Sequence, residues 1–183
     1  EGKRSGRKYA LVLLDITNLD DIRQRQGQYL ADGLTKQFSL RLLAALRESD
    51  NVARFDKNTS AALLEVDDTE QFSGLIEKLY LSLVKQFTVY GRELDITLNI
   101  GIAIYPLHGS DSAELYRNTS LALIEAADNE WPIAFFRGND DSAEAAQDNY
   151  TSVFTDETLS EEDTHETQLE TKVESIFSDS LQL

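Results

Sequence analysis

The chain of 183 residues has no cysteine and no methionine, and it contains only two prolines and two histidines. Without cysteine, disulfide bonds and thiolate metal sites are excluded. The histidines, His108 and His165, lie too far apart in the sequence to suggest a zinc site. No apolar run reaches the roughly 18 residues that span a bilayer, and the first eight residues lack the apolar segment of a signal peptide. We therefore expect a cytoplasmic chain, and the missing initiating methionine suggests a fragment of a longer protein.

Basic residues are also scarce, since 17 Lys and Arg stand against 33 Asp and Glu, for a formal net charge of -16. The imbalance is concentrated in residues 138–183, which carry 13 of the acids and one of the bases. Apolar periodicity is absent from 138–167, which predicts an acidic flexible linker, and it returns in 168–183, which predicts a helix. Nucleic acids and anionic membranes bind clustered cations, so we expect neither as a partner.

Residues 1–137 have the alternating pattern of one α/β domain. Amphipathic periodicity predicts three helices, at Leu19–Leu46 with divisions at Gly27 and Gly33, at Thr69–Phe87, and at about Ser112–Ala127. Apolar runs predict strands at 9–16, 51–55, 61–66, 88–90, 94–105 and 133–136, with turns at 56–59 and 91–93. Helices interleaved with hairpins indicate a central, mainly antiparallel sheet flanked by helices.

Two blocks of sequence, running from Asp15 to Asp32 and from Thr97 to Pro106, resemble the opening block and a later strand of the GGDEF domain. In the first block Asp15, Gly27 and Asp32 keep the register of the family. The similarity extends from about Tyr9 to Phe136. It implies the ferredoxin-like palm of nucleotide cyclases and membership of a family that joins two GTP molecules into cyclic di-GMP.

The resemblance places five residues at the five positions of the family's GGDEF signature, two glycines, two acids and a fifth residue: Asp56, Lys57, Asn58, Thr59 and Ser60. An amide and a hydroxyl then replace the two metal-binding acids, and side chains replace the glycines that allow phosphates to approach the backbone. The resemblance therefore implies that the domain is degenerate, has no catalytic residue, and needs no cofactor, with Mg²⁺ entering only together with a nucleotide.

Asp15 and Asp32 remain as a residual nucleotide site, with Asp15 the one remaining acid for a metal. Both carboxylates could equally be structural caps. The guanine-reading asparagine of the family is replaced by Arg23, which further weakens the match to an active cyclase.

A second ligand site is implied by Arg47 and Asp50, whose spacing from Asp56 matches the Arg-x-x-Asp motif that binds cyclic di-GMP away from catalysis in this family. Lys78 aligns with a further basic contact. Arginine offers a planar fork to guanine and phosphate, and aspartate accepts from the guanine edge. The alternative is an ordinary surface pair near a helix end, which contributes little to stability.

These observations favour a catalytically inactive regulatory domain that binds cyclic di-GMP or GTP. The segment 168–183 resembles the helix that introduces an EAL phosphodiesterase domain, although a helix docking back on this domain is an equal alternative. Two other functions stay open: a protein-interaction scaffold without nucleotide binding, and an active cyclase in which Asp20 or Asp56 substitutes for the missing acids.

Overall fold

The structure, a computed structural model, describes residues 6–138. Eleven elements follow one another along this part of the chain: β1 (Lys8–Ile16), α1 (Leu19–Gln26), α2 (Gln28–Ala45), β2 (Asn51–Arg54), β3 (Thr59–Val66), α3 (Thr69–Leu83), β4 (Phe87–Val89), β5 (Arg92–Leu94), β6 (Leu98–Tyr105), α4 (Ser112–Asp128) and β7 (Ile133–Phe135). The predicted segments beyond Gly138, the linker and the final helix, lie outside the described residues.

The main sheet has five strands in the order β2-β3-β1-β6-β7. Strand β1 pairs antiparallel with both β3 and β6, β2 pairs antiparallel with β3, and only β7 joins in parallel. Strands β4 and β5 form a separate hairpin. The predicted fold class, a mainly antiparallel sheet flanked by helices, is confirmed.

Helices cover both faces of the sheet, which explains why β1 is a continuous apolar run instead of an alternating one. Ala10, Val12 and Leu14 face a large core built with residues of α1, α2 and α3. Leu11 and Leu13 face a smaller core on the side of α4. Asp15 therefore lies near the C-terminal end of the buried central strand β1, at the edge of the sheet where the strand ends.

The predicted strand 94–105 is wrong at its beginning, because the chain leaves the extended ladder between Leu94 and Leu98. Asn18 ties this stretch to the segment that follows β1: its amide nitrogen donates to the carbonyl of Asp95 at 3.0 Å, and its amide oxygen accepts from the backbone N–H of Thr97 at 2.9 Å. Such a contact between distant parts of the chain leaves no local signal in the sequence.

The predicted turn at 91–93 is likewise shifted. Tyr90 and Gly91 have positive φ angles of 48° and 79° and form the tip of the β4–β5 hairpin, as expected for a two-residue hairpin loop. Arg92 and Glu93 belong to β5. The Tyr90 ring stacks on that of Tyr29, with ring centroids 4.3 Å apart.

Two helix boundaries also differ from the predictions. The first long helix is divided at Gly27 alone, where φ is 97°. Gly33 lies inside α2, and its lack of a side chain has a packing reason, since a Cβ there would come within 2.7 Å of Val89 and Tyr90. Helix α3 ends at Leu83, and Phe87 opens β4 instead of continuing the helix. Among residues 6–138, none of the helices has the length and apolar character needed to cross a membrane.

Candidate functional site

Asp15, at the C-terminal end of β1, and the turn between β2 and β3 meet at one edge of the sheet. The register of β1 and β3 places Asp15 opposite Thr59, and the Thr59 hydroxyl donates to Asp15 Oδ1 at 3.1 Å. Ser60 is the next residue of β3 and is buried opposite Leu14. The hydroxyl of Thr59 thus occupies the position beside Asp15 from which an acid would face it.

The turn at 56–58 is fixed by its own hydrogen bonds. Asp56 Oδ1 accepts from the backbone N–H groups of Asn58 and Thr59, both at 2.8 Å. From the other side, Arg54 donates through Nε to the carbonyl of Asp56 and through Nη2 to that of Lys57, both at 3.0 Å. The Asp56 carboxylate caps the turn, and Lys57 is left exposed at its tip.

Helix α1 supplies a third carboxylate to the same edge. Asp20 Oδ2 accepts from Asn58 Nδ2 at 3.0 Å, and Asp20 Oδ1 accepts from the guanidinium Nη1 of Arg23. The side chain of Arg23 is only 18% exposed. Sequence reasoning named each of these residues separately but missed their contact; the spacing of Asp20 and Arg23 by three residues on one helix was the available signal.

The electrostatics of the edge follow from this crowding. Burial raises the pKa of Asp15; the hydrogen bond from Thr59 lowers that pKa in part, and the negative charges of Asp56 and Asp20 raise it further. A proton is therefore held more tightly on Asp15 in the folded chain than in the unfolded chain.

The residues at this edge do not fit a divalent cation. Magnesium prefers six oxygen ligands in near-octahedral geometry, but Asn58 and Thr59 direct donor groups at the carboxylates of Asp20 and Asp15. Within residues 6–138, no group of three or more acids, histidines or cysteines is arranged to hold a metal ion.

Asp32, the other residue predicted for a nucleotide site, lies on the exposed surface of α2 and not in a cap. Its Oδ1 accepts from Gln28 Nε2 at 2.6 Å. No hydrogen bond found within the described part of the chain connects it to Asp15. The structure therefore brings Asp15 together with Thr59 but leaves Asp32 to its own helix.

Arg47 and Asp50 share the turn that follows α2. The backbone N–H of Arg47 donates to Asp50 Oδ2 at 2.9 Å, and the N–H of Asp50 donates to the carbonyl of Arg47 at 3.0 Å. The Arg47 guanidinium lies 3.7 Å from Asp67 Oδ2 and is 67% exposed. Lys78 is exposed on α3, and the ion pairs found among residues 6–138 do not include it.

Comparison with known proteins identifies the family. The family described as "Diguanylate cyclase, GGDEF domain" matches residues 1–130, well over half of the chain. The chain belongs to the GGDEF family. The resemblance drawn from the sequence and the expected nucleotide-cyclase palm are therefore both confirmed.

Two curated relatives of this GGDEF chain come from Pseudomonas aeruginosa. The bifunctional diguanylate cyclase/cyclic di-GMP phosphodiesterase MucR is 28% identical over 125 residues, which are 68% of this chain and 18% of that protein. The cyclic di-GMP phosphodiesterase NbdA is 30% identical over 118 residues, or 64% of this chain and 15% of that protein. The chain thus spans less than a fifth of the length of these relatives.

Among solved structures, an EAL/GGDEF domain protein from M. capsulatus matches with a TM-score of 0.67 and 27% identity, covering 75% of this chain and 90% of that one. GGDEF domains thus occur in cyclic di-GMP signalling proteins, and some relatives are named as phosphodiesterases.

Proposed function

We propose that this GGDEF domain does not synthesise cyclic di-GMP and instead regulates a neighbouring EAL phosphodiesterase domain. The observation that carries the proposal is the edge of β1 and β3, where the signature positions 58 and 59 hold an amide and a hydroxyl bonded to Asp20 and Asp15. Joining two nucleotides requires charge stabilisation on transferring phosphoryl groups, whereas these two uncharged side chains donate hydrogen bonds to carboxylates and supply no acid to hold a metal.

The turn itself adds a second obstacle. Glycines at its first two positions would leave the backbone open to a triphosphate, whereas Asp56 brings a negative charge and Lys57 a long side chain. The Oδ1 atom of Asp56 also accepts the two backbone hydrogen bonds that hold the turn. Asp20 and Asp56, the two candidates for a substitute acid, are therefore both committed to structural hydrogen bonds, which speaks against an active cyclase.

Cyclic di-GMP is the ligand that best fits the chemistry of Arg47 and Asp50, which lie away from the signature turn. Among residues 6–138, the ion pair found for the Arg47 guanidinium is one long, exposed contact with Asp67, and such exposed pairs contribute about 0–1 kcal/mol. It can therefore turn to a guanine or phosphate at little cost. Asp50 keeps Oδ1 for a guanine edge while Oδ2 stabilises the turn.

The test is calorimetric titration of the 183-residue chain with cyclic di-GMP and, separately, with GTP and Mg²⁺. We expect cyclic di-GMP to bind with a Kd on the order of micromolar, and Arg47→Ala to weaken it by about tenfold or more because the bidentate donor is lost. Arg92→Ala, at an exposed arginine of β5, is the matched control and should bind as the parent does.

The absence of catalysis is tested in parallel by incubating the same protein with GTP and Mg²⁺ or Mn²⁺ and separating the nucleotides. No cyclic di-GMP should form above the level of a heat-denatured sample. Product that accumulates with enzyme concentration would contradict the proposal, and binding of cyclic di-GMP that Arg47→Ala leaves unchanged would remove Arg47 from the ligand site.

A scaffold without nucleotide binding is the second candidate, and one surface feature favours it. Leu40 and Leu43, three residues apart on α2, are 58% and 55% exposed. Apolar side chains exposed close together often mark interaction surfaces. If neither cyclic di-GMP nor GTP binds in the calorimetric titration, the scaffold function is favoured over the ligand-binding function.

A further inference from the structure

Helix α1 carries two arginines in its last turn, and the structure uses them differently. Arg25 pairs with Asp21 at 2.7 Å and remains 77% exposed, as is usual for surface arginines. Arg23 is 18% exposed, and it pairs with an aspartate that also contacts the turn before β3. A largely buried cation at the end of a short helix needs an acidic partner to offset its desolvation.

That partner belongs to a continuous hydrogen-bonded path. From Arg23 the path runs through Asp20 to the Asn58 amide, and the backbone of Asn58 is bonded in turn to the Asp56 carboxylate. The Asp56 carboxylate also accepts from the backbone N–H of Thr59, and the side-chain hydroxyl of Thr59 donates to Asp15. One arginine is thus connected to the three carboxylates that gather at the edge of β1 and β3.

We infer that the Arg23 guanidinium is the fixed counter-ion of this edge and stands in for a divalent cation. The inference rests on the proposed absence of catalysis and supplies its physical basis. Three neighbouring acids repel one another unless a positive charge lies near them. Arg23 holds a permanent positive charge beside Asp20, and Asn58 and Thr59 direct hydrogen-bond donors at Asp20 and Asp15, so the edge repels a divalent cation and offers it few free oxygen atoms.

The experiment measures metal binding alone, with no nucleotide present. Mn²⁺ is titrated into the 183-residue chain, and the free ion is followed by its electron paramagnetic resonance signal, with thermal unfolding recorded at each concentration. Parent protein should leave the signal and the Tm unchanged at concentrations below about 1 mM. Arg23→Ala should lower the Tm without Mn²⁺, bind Mn²⁺ at least roughly tenfold more tightly because a nearby positive charge is gone, and regain Tm as the ion binds.

Three variants make the result specific. Arg23→Lys keeps the charge and should show no gain of Mn²⁺ binding, which separates the charge from the packing of the side chain. Arg25→Ala removes the exposed arginine of the same helix turn and should behave as the parent. If Arg23→Ala fails to fold, Arg23→Gln carries the same test, since it is neutral yet retains a polar end.

Two results would overturn the inference: tight Mn²⁺ binding by the parent protein, or a folded Arg23→Ala or Arg23→Gln variant with no gain in Mn²⁺ affinity. Neither result decides the proposed function, which depends on product formation from GTP and on cyclic di-GMP titration. Conversely, a chain that turned over GTP while Arg23→Ala gained Mn²⁺ binding would contradict the proposed function and leave the role of Arg23 intact.

Discussion

Asp15 shows how one residue can keep a family position while its environment changes. It closes the apolar run of β1 and is half-buried beside Thr59 and close to the charges of Asp20 and Asp56. In a metal site a cation would stabilise its ionised form. Here burial and neighbouring acids disfavour that form, and a hydroxyl compensates only in part.

This environment makes a prediction for Asp15→Asn. Because the folded chain raises the pKa of Asp15, the carboxyl stabilises the fold fully below its unfolded pKa of about 4 and loses that contribution as the pH rises through the folded value. An asparagine can still accept from Thr59 and carries no charge. The variant should therefore have a higher Tm than the parent at pH 8, and the difference should shrink at pH 4.5.

Thermal unfolding at the two pH values measures this difference directly. Asp32→Asn is the matched control, because Asp32 is exposed and bonded only to Gln28 among the described residues. A Tm difference for Asp15→Asn of the same size at both pH values would show that the ionisation of Asp15 is not what destabilises the edge.

At the scale of elements, α4 can pack closely against β6 because Gly101 of β6 has no side chain. A Cβ on Gly101 would lie 2.6 Å from both the Cα of Leu123 and the carbonyl oxygen of Thr119, and would also collide with the backbone nitrogen of Leu123. These are backbone atoms of a helix, which cannot move aside individually. The sequence block around Gly101 signalled the family, but this packing reason became visible only in the structure.

Gly101→Ala should therefore destabilise the fold by about 2 kcal/mol or more, as overpacking of a rigid contact does. Gly74→Ala is the matched control on α3, where an added Cβ meets nothing within 4 Å; it should stabilise by roughly 0.5–1 kcal/mol through helix propensity. Urea unfolding monitored by circular dichroism gives both values. Equal effects of the two substitutions would contradict the close contact of α4 and β6.

At the scale of the whole molecule, local patterns predicted the sheet and most helices because period-2 and period-3.6 burial is a local property. They failed where a distant residue fixes the backbone, as at Asp95–Thr97, where Asn18 bonds to the backbone of Asp95 and Thr97. The site divides in the same way. The meeting of Asp15 and Thr59 follows from strand register, whereas the contact of Asn58 with Asp20 joins residues 38 positions apart.

Arg41 also makes contacts with residues distant in the sequence, and these connect α2 with α3 and β4. From α2 it donates to the carbonyls of Leu83 at 3.3 Å and Gln86 at 3.1 Å, and also to that of Lys85. Its guanidinium carbon lies 3.5 Å from the centroid of the Phe87 ring. One side chain thus satisfies carbonyls at the end of α3 and fixes the start of β4 against α2.

Arg41→Lys keeps the positive charge but removes the planar fork, so it cannot reach several carbonyls while stacking on Phe87. We expect a loss of about 1.5–3 kcal/mol in the free energy of unfolding, the scale of a hydrogen bond made by a charged group. Arg25→Lys should change it by less than about 0.5 kcal/mol, because Arg25 is exposed. Urea unfolding distinguishes the two, and a fully stable Arg41→Lys would mean that charge alone holds α2, α3 and β4 together.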